Sequence, residues 1–201
     1  MSGRRIALAT GNLGKIAEIR AMLEGMPVEV VPRAILGISR DADEDGSTFE
    51  ANALIKAEAV AAASGLPTLA DDSGLEVDAL GGRPGVHSAR YGGEGLDDDA
   101  RCQRLLTELF GAPPDLRGAR FRCALVYLEP SAPPVAFHGT LEGRIAQRPA
   151  GSHGFGYDPI FVPEGFSETL AELPPMIKNT ISHRFRALEA FRRWLRAREQ
   201  R

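Results

Sequence analysis

Arg5-Ile-Ala-Leu-Ala9 is a short apolar run that passes without a break into Thr10-Gly-Asn-Leu-Gly-Lys15, and this stretch decides the fold. A run of that kind predicts a buried strand. Beyond it, Ile16, Ile19, Met22 and Leu23 recur at helical spacing, so the order is strand, glycine turn, helix. The turn is not a Walker A loop, because two residues separate Gly11 from Gly14 and Ile16 stands where a metal-binding Ser or Thr would be needed. Its physics still suits phosphate. Glycines bring backbone N–H groups close, the helix N-terminus carries partial positive charge, and Lys15 adds a full one. The competing reading is a plain strand-to-helix turn capped by Asn12.

Working outward, Pro27 to Val31 predicts a second strand, and Ser47 to about Ala63 an alanine-rich helix, opened by Ser47 with Glu50 three positions on in capping-box spacing. Pro67 to Ala70 predicts a short strand ending in Asp71-Asp72-Ser73-Gly74. Residues 75 to 96 are glycine-rich, contain Pro84 and keep no period, as a long functional loop would. Asp97 to Phe110 predicts a helix. Arg120 to Leu128 and Pro134 to Ile145 read as adjacent strands joined through a proline-rich turn at residues 130 to 134. After a loop from Gly151 to Pro159 come a strand at Ile160 to Val162 and a polar stretch with Pro174 and Pro175. A final helix begins at Ser182 and carries Phe185, Leu188, Phe191, Trp194 and Leu195. This order predicts an α/β fold with both pairing senses in its sheet. No repeat, low-complexity segment or long linker interrupts it, so residues 1–201 read as a single domain.

At 201 residues, a chain can bury about 70% of its unfolded surface. With 43% hydrophobic and 25% charged residues the composition excludes disordered, collagenous and fibrous classes. Cys102 and Cys123 stand far apart without a CxxC motif, which argues against a disulfide framework or zinc ribbon. The apolar run before Thr10 is too short for a signal-peptide core, and no stretch approaches the roughly 20 apolar residues of a bilayer span. The expectation is a soluble, cytoplasmic protein with no membrane partner. Net charge is −3, but unevenly spread: from Lys178 to Arg201 eight basic residues face two acidic ones, while carboxylates gather at residues 41–50, 71–78 and 94–99. Acidic clusters with separated cations suit a metal-bound polyanion; solvated acidic loops and a solvated basic helix are the plainer account. The Phe and Trp of the basic terminal helix fall at core spacing, which argues against nucleic-acid binding.

Asp71 and Asp72 are neighbouring carboxylates, which cost electrostatic free energy unless a cation or solvent answers them. Successive strand residues point to opposite faces, so one is expected to face a site and the other to support it. A capped Asp-Asp-Ser-Gly turn is the alternative. Gly154-Phe-Gly-Tyr-Asp-Pro159 lacks the third glycine of a dinucleotide fingerprint, although an aromatic in a glycine loop can stack a base. Lys178-Asn179, read as loop, and Ser182-His-Arg184 at a helix start place a cation and several donors together. His183 alone also reads as a surface or capping residue.

Taken together, TGNLGK (10–15), FEANALIKA (49–57), ADDSGLEVDALGGRPGVHSARYGG (70–93), GFGYDPIF (154–161) and KNTISHRFRAL (178–188) resemble the inosine triphosphate pyrophosphatase family, from Ile6 to about Leu195. The resemblance implies a long mixed central sheet flanked by helices, in two lobes with an active cleft between them, and a homodimer using Mg2+. It implies hydrolysis of purine nucleotides with noncanonical bases (ITP, dITP, XTP) to the monophosphate and pyrophosphate. It assigns the triphosphate to Thr10, Gly11, Asn12, Leu13, Gly14 and Lys15, catalysis and metal binding to Asp72, a supporting role to Asp71, and substrate contact to Ser73 and Lys178. Phe155, Gly156, Tyr157 and Asp158 form a nucleoside wall, and His183 and Arg184 read the base. One departure concerns the metal. Members often carry Glu just before the Asn of the FEENA-type segment, where this chain has Ala51 before Asn52. Glu50 stands one residue earlier, rotated by about 100° on a helix, and is both a possible metal ligand and a possible capping-box residue. A nucleotide-binding regulatory module without hydrolysis and a Maf-like nucleotide pyrophosphatase are the alternative functions.

Overall fold

The opening strand forms where the apolar run predicts it: β1 (Arg4–Leu8) buries Ile6, Ala7 and Leu8 completely. The computed structural model describes residues 4–39, 42–93 and 95–199; Asp41, Glu94 and Arg201, counted in the charge clusters above, lie outside them. From β1 the chain enters α1 (Leu13–Leu23), then β2 (Val28–Pro32), α2 (Phe49–Ser64) and β3 (Thr68–Val77). Next come α3 (Asp98–Glu108), β4 (Gly118–Leu128), β5 (Val135–Ile145), β6 (Phe161–Pro163), α4 (Pro175–Ile181) and α5 (His183–Glu199). The strands form one sheet in the order β2-β1-β3-β4-β5-β6. β1 pairs in parallel with β2 and with β3, whereas β5 and β6 are antiparallel, so the sheet is mixed as expected.

The chain divides into two compact units. The first comprises Met1–Asp72, Cys123–Gly139 and Arg184–Arg201. Strand alternation splits its core in two. Ile6, Leu8 and Leu69 join Ile16, Ile19, Met22 and Leu23 of α1 and Ala187, Leu188, Phe191 and Leu195 of α5. Ala7, Ala9 and Ala70 meet Ala53, Ala57 and Val60 of α2 in a second cluster of mostly small side chains. The second unit comprises Ser73–Arg122 and Thr140–His183, with a core that includes Leu75, Val77, Leu105, Leu109, Phe121, Leu141 and Phe161. There the buried Arg117 donates to the carbonyls of Leu109 (3.0 Å), Ile145 (2.8 Å) and Ala146 (2.8 Å), answering acceptors at the end of α3 and of β5. Both cysteines are buried and free, and burial, followed by nearby carboxylates, pushes each thiol up to about 12. No helix among the described residues is long and apolar enough to cross a membrane.

Three elements differ from expectation. α2 is capped by Thr48, not Ser47: Thr48 Oγ1 accepts the Ala51 N–H at 3.1 Å. The N3 position of a capping box is therefore Ala51, and Glu50 stands one place too early to complete it. Second, β3 does not end at Ala70 but runs through the aspartates to Val77, with Leu75 and Val77 buried in the core of the second unit. Third, the polar stretch after Pro174 contains α4, with Pro175 at the first helical position, where a missing N–H costs nothing. Lys178 thus lies on a helix. Thr48→Ala should cost about 1 kcal/mol in urea denaturation, and Ser47→Ala less than about 0.5.

Candidate functional site

The pairing of β1 with β3 places the first turn beside the two aspartates. Leu8 is in register with Leu69, and the Ala9 N–H donates to the Leu69 carbonyl at 2.9 Å, so Thr10 follows β1 at the level where Asp71 follows Leu69. Within the turn, Asn12 Oδ1 accepts the Lys15 N–H at 3.1 Å and Thr10 Oγ1 accepts the Asn12 N–H at 3.2 Å. Asn12 is therefore the cap of α1. Gly11, Asn12 and Leu13 stay exposed, with Leu13 80% accessible on a turn that the strand pairing holds in place. Arg33, after β2, is buried with its guanidinium against Gly11, where a Cβ would come within 3.0 Å of Nη2.

Asp71 is fully buried, and its Oδ2 receives Lys15 Nζ at 2.9 Å and Arg184 Nε and Nη2 at 3.3 Å each. Arg184, also buried, donates through Nη1 to Glu18 of α1. Burial by itself would raise the Asp71 pKa, but Lys15 first and Arg184 next outweigh it and hold the carboxyl well below its usual range. Asp72 faces the other side of the strand. Its Oδ1 is 2.8 Å from Lys56 Nζ and its Oδ2 is 3.4 Å from Asn52 Nδ2, both on α2. Asn52 Oδ1 also accepts the Gly46 N–H at 2.8 Å, tying the approach to α2 to the same spot. Lys56 reaches Glu44 as well, at 3.5 Å. Burial disfavours its charge, yet Asp72, Asp71 and Glu44 together raise its pKa, so it remains an ammonium.

In the second unit, the loop of residues 154–158 turns through left-handed glycines. At Gly154 (φ +80°) a Cβ would fall 2.0 Å from Asp158 Oδ2, so only glycine fits. That oxygen accepts the Phe155 N–H at 2.9 Å and Lys178 Nζ at 2.6 Å. The same ammonium lies 4.5 Å from the Phe155 ring centroid, within cation–π range. Tyr157 is buried and donates its hydroxyl to the Ser88 carbonyl at 2.9 Å. His183 is buried against Phe121, the rings stacked with centroids 4.8 Å apart. Ser73 is half-buried on β3.

The structure thus brings Lys15, Asp71 and Arg184 together, and separately Phe155, Asp158 and Lys178. Glu50 does not join Asp72; its carboxylate lies 3.2 Å from His138 Nε2, both side chains being largely exposed. Lys56, Asn52, Glu44, Glu18 and Arg33 were not foreseen. Asn52 and Lys56 had a readable signal, since an i, i+4 pair shares one helix face. No group of three or more His, Cys, Asp or Glu able to hold a metal occurs among the described residues.

The Asp71 cluster makes stability pH-dependent. The native carboxyl titrates below its ordinary 3.8, so the stabilisation is complete above that value and is lost as pH falls through it. Asp71→Asn should cost about 3–5 kcal/mol at pH 7, because it leaves buried cations without their anion. Its remaining stability should fall less steeply than the parent's between about pH 5 and 3. Urea midpoints measured across that range check both.

Residues 6–194 match the Ham1 family. The dITP/XTP pyrophosphatase of Methylococcus capsulatus is 49% identical over 197 residues, covering 96% of this chain and 97% of its own length. That of Bacillus subtilis is 47% identical over 190 residues, covering 94% and 96%. Among solved structures, the HAM1 protein from Coxiella burnetii superposes with a TM-score of 0.90 at 42% identity, covering 96% of this chain and 99% of its own. With sequence and backbone matched over nearly their whole length, the chain belongs to the Ham1 family.

Proposed function

We propose that this protein is a nucleoside triphosphate pyrophosphohydrolase that converts purine nucleotides with noncanonical bases (ITP, dITP and XTP) to the monophosphate and pyrophosphate. The observation that carries this reading is Asp72. It is a carboxylate fixed on a buried strand by Lys56 and Asn52, next to a glycine turn that opens a helix. Near full-length identity to enzymes named dITP/XTP pyrophosphatases supports the substrate class.

In this mechanism the exposed amides at Gly11, Asn12 and Leu13, the α1 N-terminus and Lys15 receive the polyphosphate. Asp71 and Arg184 support Lys15 from beneath. Asp72 orients and deprotonates the water that attacks the α-phosphorus, and pyrophosphate leaves. Lys56 holds the Asp72 carboxylate in place. The donor set also fits Mg2+. Asp72 and Glu44 both turn oxygens toward one cation, here the Lys56 ammonium, and Mg2+ accepts a single protein carboxylate when phosphates and waters fill its remaining positions. Asp72 would hold it. When bound, the metal withdraws charge from the phosphate oxygens.

Phe155 to Asp158 and Lys178 are assigned to the nucleoside, with Ser73 contacting substrate. His183 is a donor suited to a 6-oxo acceptor, whereas the 6-amino group of adenine would set donor against donor; Arg184, whose Nε, Nη1 and Nη2 are engaged by Asp71 and Glu18, acts through Lys15 and not on the base. An unpaired buried donor costs roughly 1–3 kcal/mol, or about one to two powers of ten in selectivity. Guanine shares the 6-oxo group, so its exclusion falls to the 2-amino position. A cytoplasmic homodimer completes the reading.

Release of pyrophosphate from ITP, XTP, ATP and dGTP, with Mg2+ and with EDTA, tests it directly. Metal-dependent pyrophosphate from ITP and XTP, with little from ATP or dGTP, is expected. Tight ITP binding without turnover would make the protein a nucleotide sensor. Asp72→Asn should lower kcat by about 10²- to 10⁴-fold with its circular dichroism unchanged. Ala51→Glu should lower the Mg2+ concentration giving half-maximal rate, while Glu50→Gln leaves it unchanged because Glu50 faces His138.

A further inference from the structure

The loop of residues 154–158 is fastened from two directions, and the function proposed above uses only one of them. From one side, Asp158 gathers the Phe155 N–H and Lys178. From the other, the first turns of α3 take both backbone polar groups of Gly156. Asp98 Oδ2 accepts the Gly156 N–H at 2.6 Å, and the Cys102 thiol lies 3.4 Å from the Gly156 carbonyl. Asp98 and Cys102 are four apart, so they share one face of the helix.

Gly156 is itself left-handed (φ +63°), and its carbonyl and N–H stand where a residue with a side chain would rarely put them. An anchor at this position therefore sets the directions in which Phe155 and Asp158 leave the turn. Asp98 suits the task because Arg101 holds its other oxygen, leaving Oδ2 for the loop. It is not the helix cap. That role belongs to Asp97, whose Oδ1 accepts the Ala100 N–H at 2.8 Å. Two adjacent aspartates thus divide two duties, one toward the helix and one toward the loop.

We infer that Asp98 is a positioning residue for nucleotide binding: by accepting the Gly156 N–H it sets the pose of Phe155 and of the Asp158–Lys178 pair. The inference rests on the proposed function, in which those groups contact the nucleoside. Asp98 touches no substrate and acts through Gly156. Removing it should loosen recognition and leave the hydrolytic step intact, a change in KM without one in kcat.

The test compares Asp98→Ala, Asp98→Asn and Asp97→Ala in the full chain, with ITP as substrate and backbone hydrogen exchange of the 154–158 segment as a second readout. Asp98→Ala should raise KM about tenfold, the factor expected for one charge-assisted hydrogen bond, with kcat within about twofold and faster exchange in the loop. Asp98→Asn should recover most of the loss, because its amide oxygen accepts the same N–H. Asp97→Ala should lower Tm without raising KM. The inference is overturned if Asp98→Ala keeps the parent KM, or if Asp97→Ala raises KM equally, since helix stability alone would then account for the effect. Should Asp98→Ala not fold, Asp98→Asn carries the decision against Asp98→Glu, whose longer arm misplaces the acceptor: equal KM values for the two overturn it. A parent protein that neither binds nor hydrolyses ITP overturns the function itself, an outcome separate from these.

Discussion

Two carboxylates side by side on a buried strand cost electrostatic free energy that a cation placed against each of them offsets. The first unit is organised around that requirement. Alternation along β3 sends Asp71 toward Lys15 of α1 and Arg184 of α5, and Asp72 toward Lys56 of α2. The helices that close the two faces of the strand are thus also the carriers of its counter-charges. A pair deep in protein gains little net stability, since desolvation offsets the attraction, yet its geometry is hard to alter once formed. Groups held that rigidly need no rearrangement when they act, which suits them to the phosphate chemistry proposed above.

The second unit uses carboxylates differently. Asp158 and Asp98 accept backbone N–H groups and so shape a loop. Ionised acceptors make shorter and stronger hydrogen bonds than neutral ones, which helps to hold a glycine-rich segment in one conformation. Burial acts first to raise the Asp98 pKa, but Arg101 and the Gly156 N–H outweigh it and hold the carboxyl below its ordinary value. Acidic residues that look alike in composition therefore divide into those that answer buried cations and those that hold the backbone of a loop.

Much of this was legible in the residues. The strand, glycine turn and helix of residues 5–23, the helices α2, α3 and α5, and the β4–β5 hairpin all followed from caps, composition and spacing. α4 was missed because seven residues with two prolines at their start show no period. The extension of β3 was missed because paired aspartates usually end a strand, and only their partners, 16 to 113 residues away in the chain, allow them to continue one. The same distance explains why Glu18 and Glu44 gave no sign of their roles. Their significance lies in whom they meet. Thr48 displaced Ser47 as the cap by a single position, a choice between two hydroxyl residues that local sequence does not resolve. Ala51 was recognisable as a departure, and the structure adds that it occupies the N3 position, where a glutamate would have completed a capping box with Thr48.

The cluster of Ala7, Ala9, Ala53, Ala57 and Ala70 sits between α2 and the sheet. Methyl groups there act as a ruler. Asparagine is short, and Asn52 contacts Asp72 only because nothing larger than a methyl holds the helix away at Ala53 and Ala57. Volume along this seam is thus a parameter of the chemistry although none of its atoms is reactive. A side chain larger than alanine at Ala53 or Ala57 would push α2 from the sheet, so these methyls set a distance rather than a contact.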